Sequence, residues 1–150
     1  MPNLKTRGTR EPEADNPRAS WPETLRRECE ENQFSGVVGT ALVSETPTLR
    51  VWHLRVPAGE RCPFHRHVND YFWTAHTAGN ARTYYHDGRI IDDRHYVGET
   101  KHFHFGPGEY FVHSVENVSD TDLLFTTVEF LNGANKPLPV PDKLRLKAPA

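Results

Sequence analysis

Between Gly36 and Leu131 no segment carries the three-to-four-residue apolar spacing of an amphipathic helix, and this constrains the fold more than any other feature. In its place run short stretches rich in Val, Thr, Tyr and Phe, punctuated by Gly or Pro about every eight to twelve residues. Residues 36–45, 48–57, 70–76, 81–86, 89–97, 101–105, 109–113 and 122–131 read as strands. His86-Asp87-Gly88-Arg89 reads as a hairpin turn, because Asp-Gly supplies the positive φ angles that a tight turn needs. Many short strands without an intervening helix predict an all-β barrel or sandwich.

The flanks have a different texture. Residues 1–19 are polar and contain Pro2, Pro12 and Pro17, the composition of a flexible arm. Ser20 followed by Glu23 is a capping-box pattern, and Pro22 suits a first helical turn. A short helix is expected from Pro22 to Asn32, within a lead-in over residues 20–35, with its charges forming a solvated face. The barrel then occupies residues 36–132. Residues 133–150, with Pro137, Pro139, Pro141 and Pro149, are expected to form an extended strap.

A chain of 150 residues fits one domain, and its formal net charge of −2 comes with no basic stripe for nucleic acid. Its apolar runs are too short to span a membrane, and the first residues lack the apolar core of a secretory signal. A cytoplasmic protein is expected, with Cys29 and Cys62 as free thiols and Cys62 a small buried side chain near any site built at His65. Nucleophile-elbow and phosphate-loop motifs are absent.

The nine histidines carry the chemistry. In the stretch PAGERCPFHRHVNDYFW, His65 and His67 are two apart, so both imidazoles face one side of an extended strand. PGEYFVHSVEN then places His113 at the end of another strand, with Asn117 four residues later. Three imidazoles are the smallest set that fixes a metal while leaving positions open. His102 and His104 alternate with Phe103 and Phe105 and are expected outside, His53 likewise. His86 and His95 read as satisfied or solvated, whereas His76 lies in the strand that follows Tyr71.

These motifs resemble the cupin superfamily over about residues 49 to 131. Gly59, His65 and His67, with Gly79 downstream, match the first cupin motif; Pro107, Gly108, His113 and Asn117 match the second. FHRHVNDYFW and LLFTTVEF are similar to segments of small single-domain cupins linked to β-alanine degradation. The resemblance implies a cupin jelly-roll barrel, a homodimer, and one divalent metal on His65, His67 and His113. Iron(II) used with dioxygen is favoured over manganese, nickel, copper or zinc, all of which imidazole suits.

Two departures stand out. The glutamate of the first motif is missing, with Tyr71 and Phe72 at its two allowed positions, and only four residues separate Gly108 from His113. Tyr71 and Glu129 are the catalytic candidates, Tyr71 turned inward by alternation and Glu129 as the acidic residue of the last strand. Asp70 reads either as a hydrogen-bond partner of a ligand imidazole or as a surface residue. Arg82, Tyr84 and His76 are the substrate-binding candidates, Arg82 as a carboxylate clamp. The expected activity is that of an iron(II)-dependent dioxygenase on a small polar substrate, with carboxylates among the candidates. The alternatives are a non-catalytic module that binds a small metabolite, and a metal-assisted hydrolase or isomerase.

Overall fold

The strand-forming segments become nine antiparallel strands in a computed structural model, which describes residues 18–149. They are β1 (Ala41–Glu45), β2 (Leu49–Val56), β3 (His65–His67), β4 (Asp70–Ala75), β5 (Gly79–Tyr85), β6 (Ile90–His95), β7 (Thr100–Phe103), β8 (Phe111–Asn117) and β9 (Leu123–Phe130). All but the last two residues of the arm expected over 1–19 lie outside the described part. One sheet has the order β1-β2-β9-β4-β7 and the other β3-β8-β5-β6. Side chains turned into the space between them include Trp52, Tyr71, Tyr85, Phe111 and Phe125, none more than 6% exposed. Among the described residues no helix is long and apolar enough to cross a membrane.

Three strands differ most from the sequence expectation: β1 starts only at Ala41, five residues after the expected start at 36. His65-Arg66-His67 is a strand in its own right, and β8 continues to Asn117, beyond the expected end at residue 113. The Asp87-Gly88 turn joins β5 to β6 as expected, with Gly88 at φ 95° and its N–H donating to the Tyr85 carbonyl. The tight loop before β8 is held by the C-terminal segment. Asn135 donates to the carbonyls of Gly106 and Val68 and accepts from the Gly108 N–H, while Gly108 takes φ 77°.

The helix, α1, spans Glu23–Glu31. Ser20 does not cap it. Pro22 takes the cap position in extended backbone (φ −54°, ψ 146°), and its carbonyl accepts from the Leu25 and Arg26 N–H groups. Nor is every helix charge solvated. Both Glu28 carboxylate oxygens accept from the Arg61 guanidinium, at 2.8 and 2.9 Å, and one also accepts from the Phe64 N–H at 2.8 Å. Burial pushes the Glu28 carboxyl up, but Arg61 and the Phe64 N–H outweigh it and hold the group below its ordinary value.

The chain after α1 completes this clamp. Asn32 donates to the Phe64 carbonyl, the Arg66 N–H donates to the Ser35 carbonyl, and Arg66 Nε donates to the Gln33 carbonyl. β3 therefore has β8 on one side and residues 28–35 on the other, which leaves no open edge. Trp21, Cys29, Phe64 and Val112 form an apolar cluster beneath the helix.

Residues 133–149 pack along β1, β2 and the lead-in segment. The Arg50 guanidinium donates to the Leu138 carbonyl, the Leu146 N–H donates to the Leu42 carbonyl, and Val140 and Leu144 pack on Val38, Leu42 and Trp52. Glu28→Gln, which removes the charge from the clamp, is expected to lower unfolding free energy by about 1–3 kcal/mol. Glu23→Gln, at an exposed ion pair, should change it by less than about 0.5 kcal/mol, both read from urea denaturation.

Candidate metal centre

His65 and His67 share the inward face of β3, and strand pairing sets His113 of β8 directly opposite His65. The ring centroids lie 4.7 to 5.0 Å apart, and one nitrogen from each ring falls within 4.8 Å of the other two. The tight loop before β8 thus keeps His113 in the cluster. His65 Nδ1 lies 2.9 Å from the Pro63 carbonyl, to which it donates, so Nε2 is left as its ligand nitrogen.

Burial pushes the His65 imidazole down to about 4. Burial and the neighbouring imidazoles hold His67 and His113 well below the ordinary histidine range. At neutral pH all three rings are uncharged, the form that binds a metal. The Nδ1 atoms of His67 and His113 are buried and have no hydrogen-bond partner among the described residues. Unpaired nitrogens in a buried cluster are what a cation would satisfy, so these residues fit one divalent ion.

The three rings open onto a cavity of about 70 Å³ between the sheets, room for a few waters or a small organic molecule. Tyr71, Trp73, Thr83, Tyr85, Phe103 and Thr127 line it, together with the charged or titratable Asp93, His95 and Lys101.

No protein-family model matches the chain, and no curated protein matches it in sequence. Solved structures do match. A cupin domain from Bordetella pertussis aligns over 58% of this chain and 85% of its own, with 25% identity and a TM-score of 0.51. This chain has the cupin fold. A conserved protein with a double-stranded β-helix domain from Klebsiella pneumoniae aligns over 63% of this chain and 76% of its own, with 21% identity and a TM-score of 0.50.

The fold places the sequence-predicted residues unevenly. Tyr71 lies flat on His67 (centroids 4.0 Å apart, 13° between planes) and on Phe103 (4.5 Å, 10°). Burial, Tyr85 and Glu129 hold its phenol well above the ordinary range. Tyr71 therefore offers an aromatic wall and, in the metal-free protein, a neutral hydroxyl. Glu129 is buried but does not line the cavity. Its oxygens accept from Trp52 Nε1 at 2.8 Å and Asn69 Nδ2 at 3.0 Å.

Arg82, Tyr84 and His76, the substrate-binding candidates, do not line this cavity. Thr83 and Tyr85 take the inward positions of β5, which turns Arg82 and Tyr84 outward. Arg82 forms a fork with Asp92, Tyr84 donates to Glu116, and His76 is exposed beside the Thr126 hydroxyl. Asp70 accepts from the Phe105 N–H and pairs with exposed His104, so it serves the surface loop and no ligand imidazole. Cys62 is buried as expected, and burial pushes its thiol up to about 11. Asp93, His95 and Lys101 escaped sequence reasoning. Alternation of Ile91, Asp93 and His95 along β6 was the available signal, but the apolar-poor strand gave no way to choose its inner face.

Two outcomes follow. In metal-free protein the contribution of buried His65 should be fully present above pH 6.5 and be lost as pH falls from 6.5 toward 4. The unfolded chain takes up protons there that buried His65 refuses, and denaturant titrations across that range would show it. Glu129 has the opposite sign, since burial raises its carboxyl above the ordinary value. Its contribution is fully present below about pH 4.5 and is lost as pH rises through the folded value. Asn69 Oδ1 is buried without a partner, so a flipped Asn69 can accept from the new amide of Glu129→Gln. That variant should equal or exceed wild type, increasingly so above pH 4.5, whereas Glu129→Ala should cost about 2–4 kcal/mol in the same measurement.

Proposed function

We propose that this cupin is a metal-dependent enzyme that holds one divalent ion on His65, His67 and His113 and acts on a small polar organic molecule in the adjoining cavity. The observation that carries the reading is the convergence of three uncharged imidazoles, His65 and His67 buried and His113 half-buried, on one cavity between the sheets, two of them with unpaired nitrogens. A divalent ion there supplies Lewis acidity and, as iron(II), the capacity for dioxygen chemistry, which makes oxygenation or oxidative cleavage the favoured reaction type. Metal-assisted hydrolysis or isomerisation comes next.

The chain's own contribution is positional. β3 and β8 fix the imidazoles, Tyr71 stacks on His67 and keeps that ring from turning, and Phe103, Phe111 and Trp73 exclude water from the walls. Three neutral ligands leave the charge of the ion undiminished, so an oxygen-bearing, anionic or chelating group is drawn to that end.

A non-catalytic metabolite-binding role is the second reading, favoured by the stacked tyrosine at the position where the family motif has a carboxylate ligand. Homodimeric assembly and a link to β-alanine degradation belong to the proposal through the sequence motifs alone, and a cytoplasmic setting through composition and cysteine usage alone. Metal analysis of protein purified without added metal should give about one ion per chain, mostly iron, falling at least tenfold in His65→Ala. Substoichiometric metal that does not drop further in the variant would overturn the reading. Dioxygen uptake against a panel of carboxylates, diketones and thiols separates the enzyme from the binding module, which would be silent even when fully metallated.

A further inference from the structure

A second group of polar side chains enters the same cavity from the edge strands of both sheets. His95 ends β6 and is 6% exposed, while Lys101 lies on β7. Glu99, in the loop between them, faces both: its carboxylate lies 2.8 Å from His95 Nδ1 and 3.9 Å from Lys101 Nζ. One carboxylate thus gathers an imidazole and an ammonium at one place. The His95 ring is wedged edge-on against Trp73 and Phe125, which fixes its orientation. With Nδ1–H donated to Glu99, Nε2 is left as an acceptor, and it has no hydrogen-bond partner among the described residues.

Lys101 is also underused. Its ammonium sits near the Trp73 ring and its contact with Glu99 exceeds hydrogen-bond length, so among the described residues it donates no hydrogen bond. Asp93, two residues before His95 on the same inward face, likewise has a carboxylate with no hydrogen bond among the described residues. The cavity therefore presents one unsatisfied cationic donor and two unsatisfied acceptors beyond the three imidazoles. A ligand that meets all of them carries a carboxylate for Lys101 and a hydrogen-bond donor for His95 or Asp93. A second carboxylate would be repelled by Asp93 and Glu99.

We propose that Lys101, His95 and Asp93, with Glu99 as the positioning residue, form a subsite for a small monocarboxylic acid bearing a hydroxyl or ammonium group. This rests on the reading of the cavity as a substrate site and names the class of substrate it takes. It also moves the carboxylate anchor from Arg82, which points outward, to Lys101.

The test is calorimetric titration of the purified full-length protein with 3-hydroxybutyrate, 3-aminobutyrate, butyrate and 3-hydroxybutyramide. The hydroxy or amino acid should bind at least fivefold more tightly than butyrate and at least tenfold more tightly than the amide, and which of the two binds better identifies the donor. Lys101→Met should weaken the acids at least tenfold while retaining wild-type metal content, and Lys101→Arg should restore most of the binding. In His95→Phe or Asp93→Asn the advantage over butyrate should shrink. Equal binding of acid and amide to wild type, unchanged affinity in Lys101→Met, or no saturable binding of any acid in the millimolar range would overturn the subsite. His65→Ala separates it from the metal reading: that variant should lose metal and still discriminate acid from amide.

Discussion

The cross-strand pairing of His65 with His113 is the contact on which the rest of the site depends. β3 is three residues long, too short to hold itself in place by its own ladder, yet it carries two of the three imidazoles. The stability it lacks comes from outside the sheet. Helix α1 and the four residues after it grip Arg61, Phe64 and Arg66, so the strand is bonded along both edges. A side chain buried beneath a strand is only as well placed as the strand, and here that placement depends on a helix carboxylate.

The interior sorts its polar groups by whether the protein satisfies them. Glu129 is the most deeply buried carboxylate of the barrel, and two donors occupy it fully, which takes it out of the cavity chemistry. Tyr71 occupies the position where the family motif supplies a carboxylate and gives its face to His67. Among the polar groups left unsatisfied, the Nδ1 atoms of His67 and His113 share the cavity with Asp93, His95 and Lys101. Buried groups without partners are rare in proteins, so their concentration around one cavity marks where a ligand belongs.

Much of this was legible in the sequence. The all-β character followed from strand-length segments and turn residues, and the His65/His67 pair from a spacing of two on an extended chain. His113 was found because a second motif ended on it. What stayed hidden depended on register. Alternation along β5 allows either Arg82 and Tyr84 or Thr83 and Tyr85 to face inward, and the pairing of Tyr85 with His113 decides for the second set. His95 read as an ordinary histidine because its significance lies in Glu99, brought beside it by the turn of the chain between the two sheets. Glu28 was lost among helix charges for the same reason: its partner Arg61 is distant in sequence.

The clamp between α1 and β3 also bears on the order in which the site is assembled. During synthesis the helix, Arg61 and the two β3 histidines are all made well before β8, so the first pair of imidazoles can be tethered before its third member exists. His113 arrives only with the strand that closes the four-stranded sheet. An ion that needs all three rings can therefore bind tightly only to a barrel already shut. A metal held on these three rings would be a late lock on a finished fold, not the nucleus around which the fold forms.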